Sequence, residues 1–451
     1  MIQRICGHSF RHPVRSILPR ILGCLLLIIT IIPYMIHSIL DCDVWWHMSC
    51  ARSLLSCGTI NYQDFYYSLV QNSTDCLRFT WLGDILLFLS YYFFGPIGLQ
   101  LLRAEFIVIM LWCLWELSDK KLNFYKSFIF SIVCCGCYQL FLVRNSIFSL
   151  IFYPLIWVFV LKNRPIKCMM LLVLWSAIHG SYIFGIIMTV VIYICKTRHF
   201  QPKIILSFIV LVVLLNQIIP LQGYLTIPET LNLNGTIFKT SGPFISKDFT
   251  SPFELPRPYA SICYLLSIFT MCSIKKPRIL YILAFMATFI PALGYIRMLG
   301  YHSITCGCIL LIAERNGDLR DMRDFYFLPV LFYLAYGSWI NYGGFKGIGE
   351  ADVYKEIYDA AYKEQVFATE DLTGYLYFRY RIRGYLDTFY APHQSIVFEK
   401  YHQFLRYPDT IPEVINTCIL NKRMSGAFYF SQNWELQEDK EHIVIFRRKE
   451  K

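Results

Sequence analysis

Runs of about twenty apolar residues with no charge among them leave a chain few ways to fold. The stretches 21–40 and 204–220 are such runs, and each has the length and character of a bilayer-spanning helix. No water is available inside a bilayer to satisfy the backbone, so a spanning segment is a helix or part of a closed barrel. Barrel strands alternate apolar and polar residues, whereas these runs are continuous, which excludes a barrel. Composition agrees: 56% of the 451 residues are hydrophobic and 16% are charged, where a soluble domain carries about a quarter charged. The sequence predicts a polytopic α-helical membrane protein.

Hydropathy predicts about eleven transmembrane crossings, at 21–40, 97–117, 127–142, 147–161, 168–179, 181–195, 204–220, 259–274, 279–293, 302–313 and 325–341. Segment 82–94 is apolar but short and contains Asp84, which predicts an interfacial helix ending in a turn at Gly95-Pro96. Arginines precede the first run as in a secretory leader. No small-residue cleavage site follows it, however, so it is read as an uncleaved span. Orientation comes from basic residues in alternate loops. The N-terminus and loops 118–126, 162–167, 196–203, 275–278 and 314–323 hold nineteen Lys and Arg in 57 positions. Loops 41–80, 143–146, 221–258 and 294–301 hold seven in 90. The N-terminus is therefore expected in the cytoplasm and the tail outside. Basic loops at both 162 and 196 also predict two short helices meeting at His179-Gly180.

Domain 1–343 is thus transmembrane, with a first outer loop over 41–80, and 344–451 is a small extracytoplasmic α/β domain. In that tail the pattern predicts helices at 353–364, 397–407 and 411–419, and strands at 366–368, 384–390, 427–430 and 442–447. The formal charge of +11 is spread over short loops, which argues against nucleic acid as a partner. Cys42, Cys50, Cys57 and Cys76 form an even set that would allow one or two disulfides on the oxidising side.

Polar side chains at membrane depth are expensive and mark candidate sites. Asp41, Asp43, Trp45, Trp46 and His47 follow the first span, Arg144 and Asn145 end the third, and His179 caps a short helix. Asp248 and Arg297 fall in later outer loops. Alone, each has a structural explanation: a carboxylate capping a helix, tryptophans in an interfacial belt, arginines snorkelling to headgroups. Together, on one side, they suit an anionic lipid phosphate and a nucleophile that needs a base. Asp-x-Asp with a nearby His also permits a divalent metal. Phosphate loops, Gly-x-Ser-x-Gly, His-Glu-x-x-His and paired Cys-x-x-Cys motifs are absent from the sequence.

The run Asp41-x-Asp-x-Trp-Trp-His47, with Cys57-Gly-Thr-Ile, Asp64-Phe-Tyr-Tyr-Ser68, Trp81-Leu82 and Gly95-x-x-Gly-Leu99, resembles the opening of bacterial GT-C-type polytopic membrane glycosyltransferases. Arg144-Asn-Ser-Ile-Phe-Ser149 and Trp175-Ser-Ala-Ile-His-Gly180 resemble further blocks of that family, as do Asn216-x-x-x-Pro220, Ser251-Pro-Phe253 and Arg297. Ala177 stands where an Asn is usual. The resemblance implies a GT-C fold in the inner (plasma) membrane. It also implies sugar transfer from a polyprenyl-phosphate-linked donor to a glycan, lipid or protein acceptor on the outer face. An Asp of the first outer loop is the base in such enzymes, a role falling to Asp43 or Asp41. Arg144, Arg297 and His179 would hold the donor phosphate, and Trp45, Trp46 and His47 would flank the substrate. The competing expectation is a carrier or scaffold for envelope glycan assembly that keeps the fold without chemistry. Secondary transport, which needs ionisable residues at mid-membrane, fits the sequence less well.

Overall fold

The computed structural model describes residues 14–38, 41–58, 80–121, 123–197, 258–295, 298–320, 328–341, 354, 356–357, 366–383 and 395–449. The expected span 204–220, Asp248, Arg297 and Cys76 lie outside these residues.

The bundle comprises α1 (Val14–Ile36), α3 (Trp81–Leu117), α4 (Phe124–Gly136), α5 (Ser149–Leu161), α6 (Pro165–Ser176) and α7 (Tyr182–Thr197). It continues with α8 (Pro258–Ser273), α9 (Ile279–Gly294), α10 (Met298–Arg315) and α11 (Leu328–Asn341). Among the described residues, helix α3 alone is long and apolar enough by itself to cross a membrane, and several of the others are shorter apolar helices. The bundle is apolar outside as well as in. Leu101, Val108, Trp112, Met170 and Ile268 are each more than half exposed, while Asp84, Arg103 and Lys126 are buried. A bundle folding in water would show the reverse.

Several expected boundaries differ from the observed ones for local reasons. The predicted turn at Gly95-Pro96 is a kink inside α3, where Gly95 takes φ 61° and the helix resumes at once. Only glycine reaches that conformation without strain. The predicted span 127–142 ends early, giving way to 3₁₀ turns at Tyr138–Phe141 and Asn145–Phe148. The pair α6 and α7 does meet at His179-Gly180. Their contact depends on Gly185, where a Cβ would lie 2.5 Å from Trp175, 2.7 Å from Leu172 and 2.8 Å from Ile156. Gly185→Val should therefore cost about 1–3 kcal/mol through overpacking. It should be seen as a lower unfolding midpoint of the detergent-solubilised protein; an unaltered midpoint would contradict this packing.

The loops with the higher basic count converge at one end of the bundle. Lys126 meets Asp119 and, at 3.4 Å, Glu314; Lys162 meets Glu116 at 2.5 Å. Lys196 donates to Asn163 at 2.7 Å, and Arg278 pairs with Asp318 at 2.5 Å. Because α3 to α7 run up and down, Asp84, Arg144 and His179 fall at the other end.

Among the described residues, which leave out the expected strand 384–390 and most of the expected helix 353–364, the tail forms a four-stranded sheet of β1 (Val366–Ala368), β2 (Thr417–Asn421), β3 (Trp434–Asp439) and β4 (Ile443–Arg448), in the order β1-β2-β4-β3. Strand β1 runs parallel to β2 and the other pairs are antiparallel. Strand alternation divides its side chains between two cores. Phe367, Cys418, Leu420, Val444 and Phe446 pack with Tyr401 and Phe404 of α13 (Ser395–Arg406). Val366, Ala368, Ile419, Ile443 and Ile445 join the main core instead. The segment expected as a helix at 411–419 contributes β2, because pairing on both sides overrides its i, i+3, i+4 pattern. Segment 427–430 is a 3₁₀ turn rather than a strand. Helix α12 (Glu370–Tyr380) and strand β3 are additional to the expected elements.

Candidate active site at the start of helix α2

The expected first outer loop begins with a helix, α2 (Asp43–Cys57), enclosed on nearly every side along Val44–Ala51. Its start is written locally. The side chain of Asp41 accepts the Asp43 N–H at 3.0 Å, relieving a first-turn donor, and the Asp43 carboxylate suits a helix N-terminus. Its end is a left-handed Gly58 whose N–H donates to Leu54 O at 2.9 Å. Of the expected disulfide set, Cys42, Cys50 and Cys57 fall on the described residues. Seven and eight positions apart along one helix, they are too distant to join one another.

The chain entering this site is fixed by α3. Gln100 donates to the carbonyls of Ile36 and His37 at 3.3 and 3.0 Å. Arg103 donates to His37 O and to Met35 O. These contacts satisfy the open carbonyl end of α1 just before Asp41. A small cavity lined by Tyr34, His37, Asp41, Arg103 and Tyr138 opens there.

Arg144 stands in an extended break between the two 3₁₀ turns. Its guanidinium approaches Asp43 at 3.1 Å and Asp41 at 3.5 Å, and it also donates to Ser146 at 3.2 Å. Asn145, the next residue, makes a second clamp on the same helix. Its amide donates to Asp84, which accepts from His47 Nδ1 at 2.7 Å and from Thr80 at 3.3 Å. Asp43 and His47 are four residues apart and share one face of α2, so Arg144 and Asn145 grip successive turns of one helix. Gly83 allows the approach: a Cβ there would lie 2.8 Å from the Asn145 side chain and 3.0 Å from Ile178 O.

The turn bearing His179 adjoins this second clamp, since Leu82 N–H donates to Ala177 O at 3.2 Å. His179 is half-buried, with Nδ1 2.6 Å from Ser181 Oγ. The structure thus brings Asp41, Asp43 and Arg144 into contact and sets His47 and His179 on neighbouring turns; Arg297 lies outside the described residues. Asp84, Asn145, Thr80 and Ser181 complete the cluster. Asp84 was visible in the sequence as a carboxylate in an apolar helix, without any sign of its partner.

Trp45 and Trp46 face apart. Trp46 stacks on His47, with ring centroids 4.1 Å apart. Trp45 is fully buried against Tyr91, Tyr354, Tyr375 and Phe378. The substrate-flanking role expected of Trp45 gives way to a packing role, because α12 covers it. Arg52 strengthens that junction, donating to Phe378 O at 2.9 Å, with burial pulling its guanidinium down to about 10.

Ligand atoms of Asp41, Cys42 and Asp43 lie within 4.8 Å of one another. A divalent ion would need their negative charge, but Arg144 already bridges both carboxylates. His47, the nitrogen ligand expected from the sequence, is held by Asp84. These residues do not fit a resident metal.

No protein-family model matches the chain, and no curated protein sequence matches it. In fold it is similar to an oligosaccharyltransferase of Archaeoglobus fulgidus, crystallised tethered to an acceptor peptide containing the NVT sequon. The two are 10% identical, with a TM-score of 0.52 over 91% of this chain and 70% of that one. ArnT from Cupriavidus metallidurans in the apo state aligns at a TM-score of 0.40 and 11% identity, over 96% of this chain and 98% of that one.

Proposed function

Starting from the GT-C fold that this chain has, we propose that it is an inverting membrane glycosyltransferase. It uses a polyprenyl-phosphate-linked sugar and an acceptor on the outer face of the plasma membrane. About eleven helices cross the bilayer, the N-terminus is cytoplasmic, and the 344–451 domain stands outside over α2. The convergence of Asp41 and Asp43 on Arg144 carries this reading.

Asp43 is the base. Its side chain is 18% exposed against 6% for Asp41, and Asp41 is engaged in starting α2. As the acceptor oxygen bonds to the anomeric carbon, Asp43 takes its proton and the bond from that carbon to the phosphate oxygen breaks. Arg144 turns from Asp43 toward the departing phosphate, whose growing charge it matches better than any neutral donor. The exchange also leaves Asp43 more basic when the proton moves. Arg297 is assigned to the same phosphate, and Trp46 and His47 to the wall beside it.

The test is release of polyprenyl phosphate by the purified protein in lipid nanodiscs, with polyprenyl-phosphate sugars as donors. Release that needs an acceptor supports the reading, and no release from any donor overturns it. Since Arg144 provides the counter-charge, turnover should be unchanged by an excess of EDTA. Loss on chelation with rescue by a divalent ion would show that a metal displaces the guanidinium.

A further inference from the structure

The turn between α6 and α7 determines which ring nitrogen of His179 carries its proton. The Ser181 backbone N–H donates to Nδ1 at 3.2 Å, and Ser181 Oγ lies 2.6 Å from the same atom. A nitrogen that accepts a backbone N–H carries no proton of its own, since two donors would otherwise face each other. The Ser181 hydroxyl must therefore donate to Nδ1 too. Its oxygen lies 3.0 Å from Ser149 Oγ, and the Tyr301 hydroxyl donates to Ser149 at 2.8 Å. Every hydroxyl is then oriented one way, from Tyr301 through Ser149 and Ser181 to His179. Ser149, Ser181 and Tyr301 are all buried, so water does not scramble that direction. Ser149 also opens α5, directly after the segment that holds Arg144 and Asn145.

We propose that this relay fixes His179 as the Nε2–H tautomer, making it a hydrogen-bond donor to a phosphate oxygen rather than a base. Ser181, Ser149 and Tyr301 are positioning residues. The proposal rests on the glycosyltransferase reading only in taking that phosphate to be the headgroup of the lipid-linked donor.

Two amides separate the ring nitrogens. His179→Gln places an N–H near the position of Nε2, and His179→Asn places one near Nδ1. Undecaprenyl phosphate and inorganic phosphate are titrated in parallel into the purified full-length protein and both variants. Gln should bind the lipid within about threefold of the native protein, and Asn should bind at least about tenfold more weakly, as for one lost hydrogen bond to a charged group. The same order with inorganic phosphate assigns a phosphate site indifferent to the lipid chain; loss with the lipid alone assigns the headgroup. Histidine ¹⁵N spectra supply a readout that mere folding does not move. The signal missing in His179→Gln should show protonated Nε2 and bare Nδ1, and Tyr301→Phe should shift it. Equal binding by Gln and Asn, no binding by the native protein, or a protonated Nδ1 would each overturn the proposal. Preserved Gln-over-Asn binding without any sugar transfer would support it while removing the glycosyltransferase reading.

Discussion

Asp43→Asn should slow sugar transfer by roughly 10²–10⁴-fold, the usual contribution of a positioned general base, and Asp41→Asn/Asp43→Asn should abolish it. The amide keeps the size of the carboxylate and its acceptor oxygen, so α2 can begin where it does. What it loses is the capacity to take a proton and the charge that holds Arg144. The single variant leaves Asp41, 3.5 Å from Arg144, to balance the guanidinium. The fold should then survive, with a melting temperature close to native. The informative measurement is the division between kcat and KM. An Arg144 less tightly held by Asp43 is more available to phosphate, so KM for the donor should stay level or fall while kcat collapses. A merely structural Asp43 would give the opposite signature: a lower melting temperature and a raised KM with little loss of kcat. Full activity in the double variant would overturn the assignment of the base to these two aspartates.

Much of this arrangement could be read from the chain and part could not, for reasons that differ residue by residue. Periodicity and charge counts located α4 to α7 and the meeting of two short helices at His179-Gly180, because the code for a span is local: apolar length, then a basic loop. The contact of Asp41 and Asp43 with Arg144 followed from assigning all three to one side. Helix α2 was hidden. Its fifteen residues mix Asp, His, Arg and Ser with tryptophans, and its burial comes from α3 and α12 together, with Arg52 reaching a carbonyl 326 residues away. No window of sequence contains both partners. Strand β2 shows the same limit. Ile411, Val414, Ile415 and Cys418 keep a helical period, and pairing with β1 and β4 decides the matter. His47 could be singled out by type, but its partner Asp84 is 37 residues away across a stretch of chain that has no periodic signal.

That hidden pair underlies the largest stability effect. Asp84→Leu should destabilise the protein by about 2–3 kcal/mol, because it strands buried donors rather than merely deleting a contact. His47 Nδ1, the Asn145 amide and the Thr80 hydroxyl all point at the Asp84 carboxylate. Asn145 is fully buried and His47 nearly so, and water cannot reach them to substitute. Asp84→Asn keeps an acceptor and should lose less. Removing both members should also lose less than the sum, since His47→Leu/Asp84→Leu leaves no imidazole donor to satisfy. A double-mutant cycle on unfolding in detergent should return a coupling of roughly 0.5–3 kcal/mol; additive losses would mean that the two side chains do not meet. The pair also bears on catalysis. His47 lies one turn beyond Asp43, so releasing it loosens the helix that presents the base to Arg144. Asp84→Leu should then reduce transfer even at temperatures where the protein remains folded.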